Sequence, residues 1–365
     1  MEWRMADGGD PAELVEDFLA DQGLPVRDLA APARSGNHAG RAGGASLFFS
    51  AAAGAYLAGA PSGRLSPAPV VPDVVAVAWH PGGPAPAATP GQPPGRWRLG
   101  RWRASWTAAE HAAAVARVRE AIASGEVYQV TLVGHASADY LGDPSGPLHR
   151  VATLPGARYG RVLTGAGWAI GCASPETLVR VRGGAVLTRP IKGTRPATPA
   201  GRAALLGSAK ERAEHVMIVD LERNDLARLA RTGSVRVSEL YAVRRWCDLW
   251  QAESEISARL VAGTGLADLL RAVCPGGSVT GAPKLAALAL AAGLEPVGRG
   301  ASMGALGRVG HAGLDLGLTI RTVAVDTDRV HVWAGGGITW GSDPAAEVAE
   351  AAAKAAPLRA ALRDG

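Results

Sequence analysis

The stretch TLVRVRGGAVLTRP (residues 177–190) is two short runs of β-forming residues, 177–182 and 185–190, turned back on each other by Gly183-Gly184. A glycine pair between two such runs is the signature of a tight β-hairpin. The same grammar extends outward. Strands are expected over 126–140, 158–164 and 167–172 upstream, and over 234–244, 248–260, 302–309, 314–325 and 329–335 downstream. Helices are expected over 198–206, 209–231, 265–273, 283–292 and 344–362. Hairpins outnumber alternating strand–helix–strand units, so the expected class is α+β with antiparallel sheets. No internal repeat is present.

The best-punctuated helix is TAAEHAAAVARVREAIASG (107–125). Thr107 serves as N-cap, Glu110 as its capping-box partner, and Gly125 as the stop, with Val115, Val118 and Ile122 on one face. Residues before about 100 are Pro- and Gly-rich. HPGGPAPAATPGQPPGRW (80–97) reads as a loop or linker and carries no expected function.

The chain has 365 residues, 47% hydrophobic and 19% charged, which places it among globular proteins rather than disordered ones. Its net charge of +5 is scattered arginine without basic–aromatic blocks, which suits a small anionic substrate and argues against nucleic acid. Three cysteines without CxxC spacing argue against a disulfide framework and a thiolate metal site, and point to a reducing cytoplasm. The beginning carries acids where a signal peptide needs a basic and then apolar run. The most apolar stretch, 45–60, is shorter than a membrane span needs and reads as buried strand or helix, so no membrane partner is expected.

Several constellations could carry chemistry. Glu211 and Glu214 are three apart on one helix face, and Glu347 and Glu350 repeat the arrangement. Each pair alone reads as a solvated helix face, but two meeting across a cleft would make a hard-oxygen site suited to Mg²⁺. CPGGSVTGAPK (274–284) is a glycine-rich loop entering a helix, able to offer backbone N–H groups to an anion. Ala282 and Pro283 before Lys284 break the P-loop spacing. WAGGGIT (333–339) permits close backbone approach to a ligand, or a tight turn with none. LTIRT (318–322) sets Arg321 on a strand of buried character, where an anion is its natural partner. Lys192, in RPIKGTRPA (189–197), reads as the end of a strand.

SPE (174–176), RPIKGTRP (189–196), ERAEHVMIVDLERNDLARLARTGSVRV (211–237), PGGSVTGAPK (275–284), LTIRT and AGGGIT occur in the order and approximate spacing of the chorismate-utilising enzymes. The resemblance covers about 105–362. It implies two mostly antiparallel sheets sandwiched with outer helices. Residues 1–104 would be a shortened amino-terminal part of the sandwich, and 105–365 the chorismate-binding catalytic domain. The P-I-K-G-T motif resembles the aminodeoxychorismate synthase subfamily, whereas anthranilate synthases have a small residue at the lysine position.

That resemblance implies amination of chorismate at carbon 4 through a covalent adduct of Lys192, with Glu176 moving protons at the hydroxyl and the incoming ammonia. It further implies Mg²⁺ held directly by Glu214 and Glu350, with Glu211 and Glu347 nearby or acting through water. Arg321, Gly336 and Gly337 would take carboxylate oxygens, and Thr194, Ser278, Thr280 and Lys354 would complete the pocket. Ammonia would come free or from a separate glutamine amidotransferase subunit, since no G-x-C-x-G nucleophile setting is present. QAES (251–254) and ASMGALGRV (301–309) depart from the family pattern. Gln251 stands where anthranilate synthases have a histidine, Glu253 is unexpected in a strand, and Met303 and Arg308 stand near positions often held by tyrosine. The amino-terminal part lacks the signatures of a tryptophan pocket. Alternative expectations are an anthranilate synthase component I and a degenerate paralogue that binds without turnover.

Overall fold

The computed structural model describes residues 1–32, 41–80 and 97–363; the expected loop at 80–97 lies almost wholly outside them. Along the first part run β1 (Glu2–Trp3), α1 (Pro11–Asp21), β2 (Gly44–Phe49), α2 (Ala51–Leu57), β3 (Val74–Trp79), β4 (Arg98–Leu99), β5 (Arg103–Ala104) and α3 (Ala108–Ala123). Then follow β6 (Gln129–Leu141), α4 (Ser145–Ala152), β7 (Tyr159–Gly165), β8 (Trp168–Ser174), β9 (Thr177–Arg182), β10 (Ala185–Arg189), β11 (Ile191–Pro196), α5 (Pro199–Gly207) and α6 (Ala209–Ala227). The remainder comprises β12 (Arg236–Trp246), β13 (Leu249–Arg259), α7 (Leu266–Val273), β14 (Gly281–Ala282), α8 (Lys284–Leu294), β15 (Ala305–Gly310), β16 (Gly313–Leu318), β17 (Thr322–Asp326), β18 (Arg329–Ile338) and α9 (Pro344–Ala361).

The strands form two antiparallel sheets, the α+β arrangement that hairpin counting predicts. The larger, ten-stranded, runs β1-β3-β2-β15-β16-β9-β10-β13-β11, with β12 also on β13. The smaller, eight-stranded, is centred on β6, β18, β17, β8 and β7. The opening hairpin is β9–β10, with Ala185 opposite Arg182. Both turn glycines take positive φ, 53° and 73°, which explains why glycine stands at each.

Alternation along the strands divides the core. Phe48, Leu306 and Ile170 pack between the sheets with Trp333. On the outer face of the smaller sheet, Val323, Val325, Val330 and Val332 receive Leu148 of α4 and Leu358 of α9. Val115 and Val118 of α3 pack with Val130 and Leu132 of β6. The capping box of α3 forms as expected: the Thr107 N–H donates to Glu110 at 2.6 Å, and the Glu110 N–H to Thr107 Oγ1 at 3.2 Å. Residues 45–60 are both strand and helix, β2 followed by α2. Through β2, paired with β15 from Ala305↔Phe49 to Gly310↔Gly44, the first eighty residues extend the larger sheet.

Two expected strands resolve differently. The run 314–325 is broken at 319–321, because β16 belongs to the larger sheet and β17 to the smaller. Arg321 therefore lies in a crossover and not on a strand. Lys192 is likewise the second residue of a new strand, β11, because Pro190 ends β10. The cysteines are free and buried. Among the described residues no helix is long and apolar enough to cross a membrane.

Phe48 is fully buried where β2 meets β3 and β15. Phe48→Ala is expected to lower unfolding free energy by about 3–5 kcal/mol, measured as the shift in urea midpoint at constant m-value.

Candidate active site

The chain crosses between the sheets at two neighbouring places, β8 to β9 and β16 to β17. Two backbone bonds tie them: Leu318 N–H to Glu176 O at 3.1 Å, and Ala173 N–H to Arg321 O at 2.9 Å. Glu176 and Arg321 thus occupy adjacent corners where the sheets part. There a cavity of about 240 Å³ opens, walled by β11, β18, α6, α9 and the Gly276–Val279 loop.

Lys192 reaches into it from β11 and donates to Ser278 O at 3.0 Å. Desolvation lowers its pKa, opposed by Glu176 and reinforced by Lys354. Glu176 is buried, and desolvation pushes it up to about 7 against the opposing pull of Ser278, the Ile191 N–H, Lys192 and Arg321. Ser278 Oγ donates a short hydrogen bond to Glu176 Oε1. Ser278 lines the cavity as expected, but its hydroxyl is engaged with this carboxyl.

Arg321 is buried, with its guanidinium 4.6 Å over the Trp246 ring. Desolvation lowers it to about 10 despite Glu176 and Glu350 nearby. Its Nη1 finds no hydrogen-bond partner among the described residues. A buried donor without a partner in a cavity wall is suited to an incoming anion.

Gly336 and Gly337 allow close approach by side-chain ends. A Cβ on Gly337 would lie 2.7 Å from Lys192 Nζ and 2.7 Å from Gln129 Nε2; one on Gly336 would lie 3.0 Å from Glu347 Oε2. Gln129 is a residue that sequence reading missed. It is fully buried, and neither amide atom has a partner among the described residues. It stands at the start of an apolar strand without a motif glycine or charge to flag it.

The four glutamates line the cavity from two helices, Glu211 and Glu214 on α6, Glu347 and Glu350 on α9. Glu211 pairs with Arg195 at 2.8 Å, Glu350 with Lys354 at 2.7 Å, and Glu214 accepts from Thr339 Oγ1 at 2.5 Å. Burial raises the Glu211 pKa, and Glu214 and Glu350 add repulsion that Arg195 opposes. Burial likewise raises Glu347. Among the described residues no three acidic, His or Cys side chains converge as a preformed metal cage. The donors are nonetheless hard oxygens sharing excess negative charge in one cavity, which fits Mg²⁺ once Arg195 and Lys354 yield their partners.

Thr194 and Lys354 also line the cavity; Lys354 Nζ donates to Gly335 O at 2.9 Å. Thr280 does not line it. Its hydroxyl instead donates to Gly276 O at 3.0 Å and Gly277 O at 3.2 Å, bracing the loop that carries Ser278. Gln251 and Met303 are in the wall, and Arg308 is exposed on β15. The unexpected Glu253 is buried and paired with Arg158 at 2.9 Å, whose Nη1 also donates to Thr177 Oγ1 at 3.2 Å. A charge in this strand is sustained by its partner across the gap between sheets.

A family profile described as chorismate binding enzyme matches residues 70–360. The chain is 41% identical over 293 residues to anthranilate synthase component 1 of Streptomyces coelicolor, covering 77% of this chain and 57% of that protein. It is 40% identical over 259 residues to aminodeoxychorismate synthase component 1 of Klebsiella aerogenes, covering 68% of this chain and 57% of that protein. The crystal structure of anthranilate synthase component I from Streptococcus pneumoniae superimposes with a TM-score of 0.79 at 23% identity, covering 99% of this chain and 89% of that one. The chain belongs to the chorismate-binding enzyme family, and spans less than two thirds of the length of these two curated relatives.

Gly337→Ala is expected to displace the Lys192 amine and lower turnover of the enzyme's substrate by about a hundredfold, read as kcat/KM, with the circular dichroism spectrum retained. Wild-type kcat/KM would show that the close approach is not needed.

Proposed function

We propose that this member of the family aminates chorismate at carbon 4, giving 4-amino-4-deoxychorismate, with ammonia from solution or from a glutamine amidotransferase partner. The observation that carries this reading is the Lys192 amine, desolvated in the cavity and packed against Gly337 in the electrostatic company of Glu176.

Displacement proceeds in two balanced halves. The neutral Lys192 amine forms a bond to carbon 2, the ring double bond shifts, and the carbon 4–oxygen bond breaks. Neutral Glu176 gives its proton to the departing hydroxyl, which leaves as water, and the surplus proton on the lysine nitrogen returns to Glu176. Ammonia then attacks carbon 4, the double bond shifts back, and the carbon 2–lysine bond breaks as Glu176 protonates the leaving lysine nitrogen; the surplus proton on the new carbon 4 nitrogen returns to Glu176. Lys192 and Glu176 leave the cycle as they entered it. A carboxyl poised near 7 suits both giving and taking a proton.

Arg321 Nη1 supports binding of a substrate carboxylate. Glu214 and Glu350, with Glu211 and Glu347, would hold Mg²⁺, which when bound neutralises carboxylate charge on substrate and protein alike. Amination at carbon 2 with loss of pyruvate, the anthranilate synthase reaction, is the second reading. The Streptomyces coelicolor relative carries that name and aligns over 293 residues. Gln251 in the cavity wall bears no titratable group and supports the first reading.

Incubation with chorismate, ammonium and Mg²⁺, followed by mass spectrometry, distinguishes the two. The expected product is aminodeoxychorismate, converted to p-aminobenzoate when its lyase is added; anthranilate would overturn the assignment. Lys192→Ala is expected to cut product formation by about a thousandfold or more while retaining the wild-type melting profile. Wild-type rates in that variant would refute the covalent role.

A further inference from the structure

Behind the Gly276–Val279 loop, on the side away from the cavity, lies a buried carboxyl that the proposed reaction does not use. Glu222 Oε2 of α6 lies 2.6 Å from Thr188 Oγ1. Thr188 Oγ1 is also 3.3 Å from the carbonyl oxygen of Thr177, the residue after Glu176. A Cβ on Gly277 would come within 3.3 Å of Glu222 Cγ, so the carboxyl packs directly beneath the loop whose Ser278 grips Glu176.

Every charged group facing Glu222 can be named. Asp225 lies one turn on along α6, and Lys284 of α8 is committed to it at 2.7 Å. Glu176 faces it from the crossover, and β10 offers only the Thr188 hydroxyl. From α7 and the loop the neighbours are Val273, Gly276 and Gly277, without charge. Among the described residues no cation pairs with Glu222, and an unpaired buried carboxylate is strongly disfavoured.

Proton counting points the same way. The Thr188 hydroxyl has one hydrogen, yet its oxygen sits within reach of two acceptors, Glu222 Oε2 and Thr177 O. Either the one hydrogen is shared between them, as the Thr280 hydrogen is between two carbonyls, or Glu222 supplies a proton of its own, donating to Thr188 while Thr188 donates to Thr177; with no cation to pair an ionised carboxylate, the second arrangement is favoured. An ionised Glu222 would claim the hydroxyl and leave the Thr177 carbonyl without it.

We propose that Glu222 is held as a neutral carboxylic acid whose proton completes a Glu222–Thr188–Thr177 chain, making it a positioning residue for the Glu176 turn. Burial, with repulsion from Glu176, pushes Glu222 up to about 8, in keeping with a neutral group at physiological pH. Its ionisation releases the Thr177 carbonyl and sets a negative charge behind Glu176. Glu176 then holds its proton more tightly and delivers it more slowly. This consequence for catalysis rests on the acid–base role proposed for Glu176; the protonation state of Glu222 does not.

Infrared difference spectra of the full chain against Glu222→Gln, recorded well below and well above pH 8, read the carboxyl directly and need no substrate. A protonated-carboxyl band in the wild type at the lower pH, absent from the variant and lost at the higher, is expected; no such band overturns the proposal. In chorismate consumption, the alkaline limb of kcat/KM is expected to carry an ionisation near 8 in the wild type that Glu222→Gln lacks. Glu222→Leu, which cannot donate, should lower kcat about tenfold with little change in KM, and Gln should largely restore it. Superimposable pH profiles for wild type and Gln overturn the positioning role, and they do so even if the Leu variant fails to fold. If the wild type consumes no chorismate, the proposed reaction fails, and the infrared band alone decides Glu222.

Discussion

The site depends on a topological constraint: two strand connections, β8 to β9 and β16 to β17, cross between the sheets side by side. Where sheets part, backbone groups lose their ladder partners and must find others. Here the crossovers satisfy each other, through Leu318 to Glu176 and Ala173 to Arg321. One carboxyl and one guanidinium are thereby fixed at the edge of a cavity by the backbone, and neither depends on a flexible loop for its position. The inter-sheet core behind them, with Phe48 and Trp333, keeps the sheets at a set separation.

The second constraint is charge. Lys192, Arg195, Arg321 and Lys354 share the cavity with Glu176, Glu211, Glu214, Glu347 and Glu350. Some are compensated locally, as Arg195–Glu211 and Lys354–Glu350 are. Lys192 and Arg321 are the cations whose pKa burial depresses, and Glu176 the carboxyl raised to about 7. The folded chain holds these groups away from their ordinary pKa values, a cost that packing elsewhere must offset and a common mark of reactive sites.

Much of this was legible in the sequence because the signals were local. Gly183-Gly184, the Thr107–Glu110 capping box and the i,i+3 glutamates each specify geometry within a few residues. What was not legible required knowledge of which sheet a strand joins. The run 314–325 looks continuous because β16 and β17 are both apolar, and their separation into different sheets leaves no compositional trace. Thr280 sits in a loop rich in candidate anion donors, but its hydroxyl turns inward to brace that loop. Glu253 looked anomalous because its partner Arg158 is distant in sequence. Helix α4 was missed because Gly146 and Pro147 near its start read as a turn, while its burial comes from packing on β8.

The comparison with relatives of two different names has a physical counterpart in the cavity. Under the proposed reaction, Arg321, the glycine backbone of β18 and the carboxylates of α6 and α9 would form the outer shell that binds a dicarboxylate, and none of these would distinguish carbon 2 from carbon 4. The choice of carbon must therefore rest on groups that touch the reacting ring from the centre. Lys192 is a candidate because its amine can occupy carbon 2 and so leave carbon 4 to ammonia. Gln251 is another, because an amide there cannot take the proton whose removal would precede loss of pyruvate. A change of product could then arise from two positions on adjacent strands, β11 and β13, paired through Lys192↔Ala252 and Thr194↔Gln251, while fold, core and anion-binding shell stay constant. That is the expected behaviour of a scaffold in which positioning is done by the backbone and specificity by a few side chains held upon it.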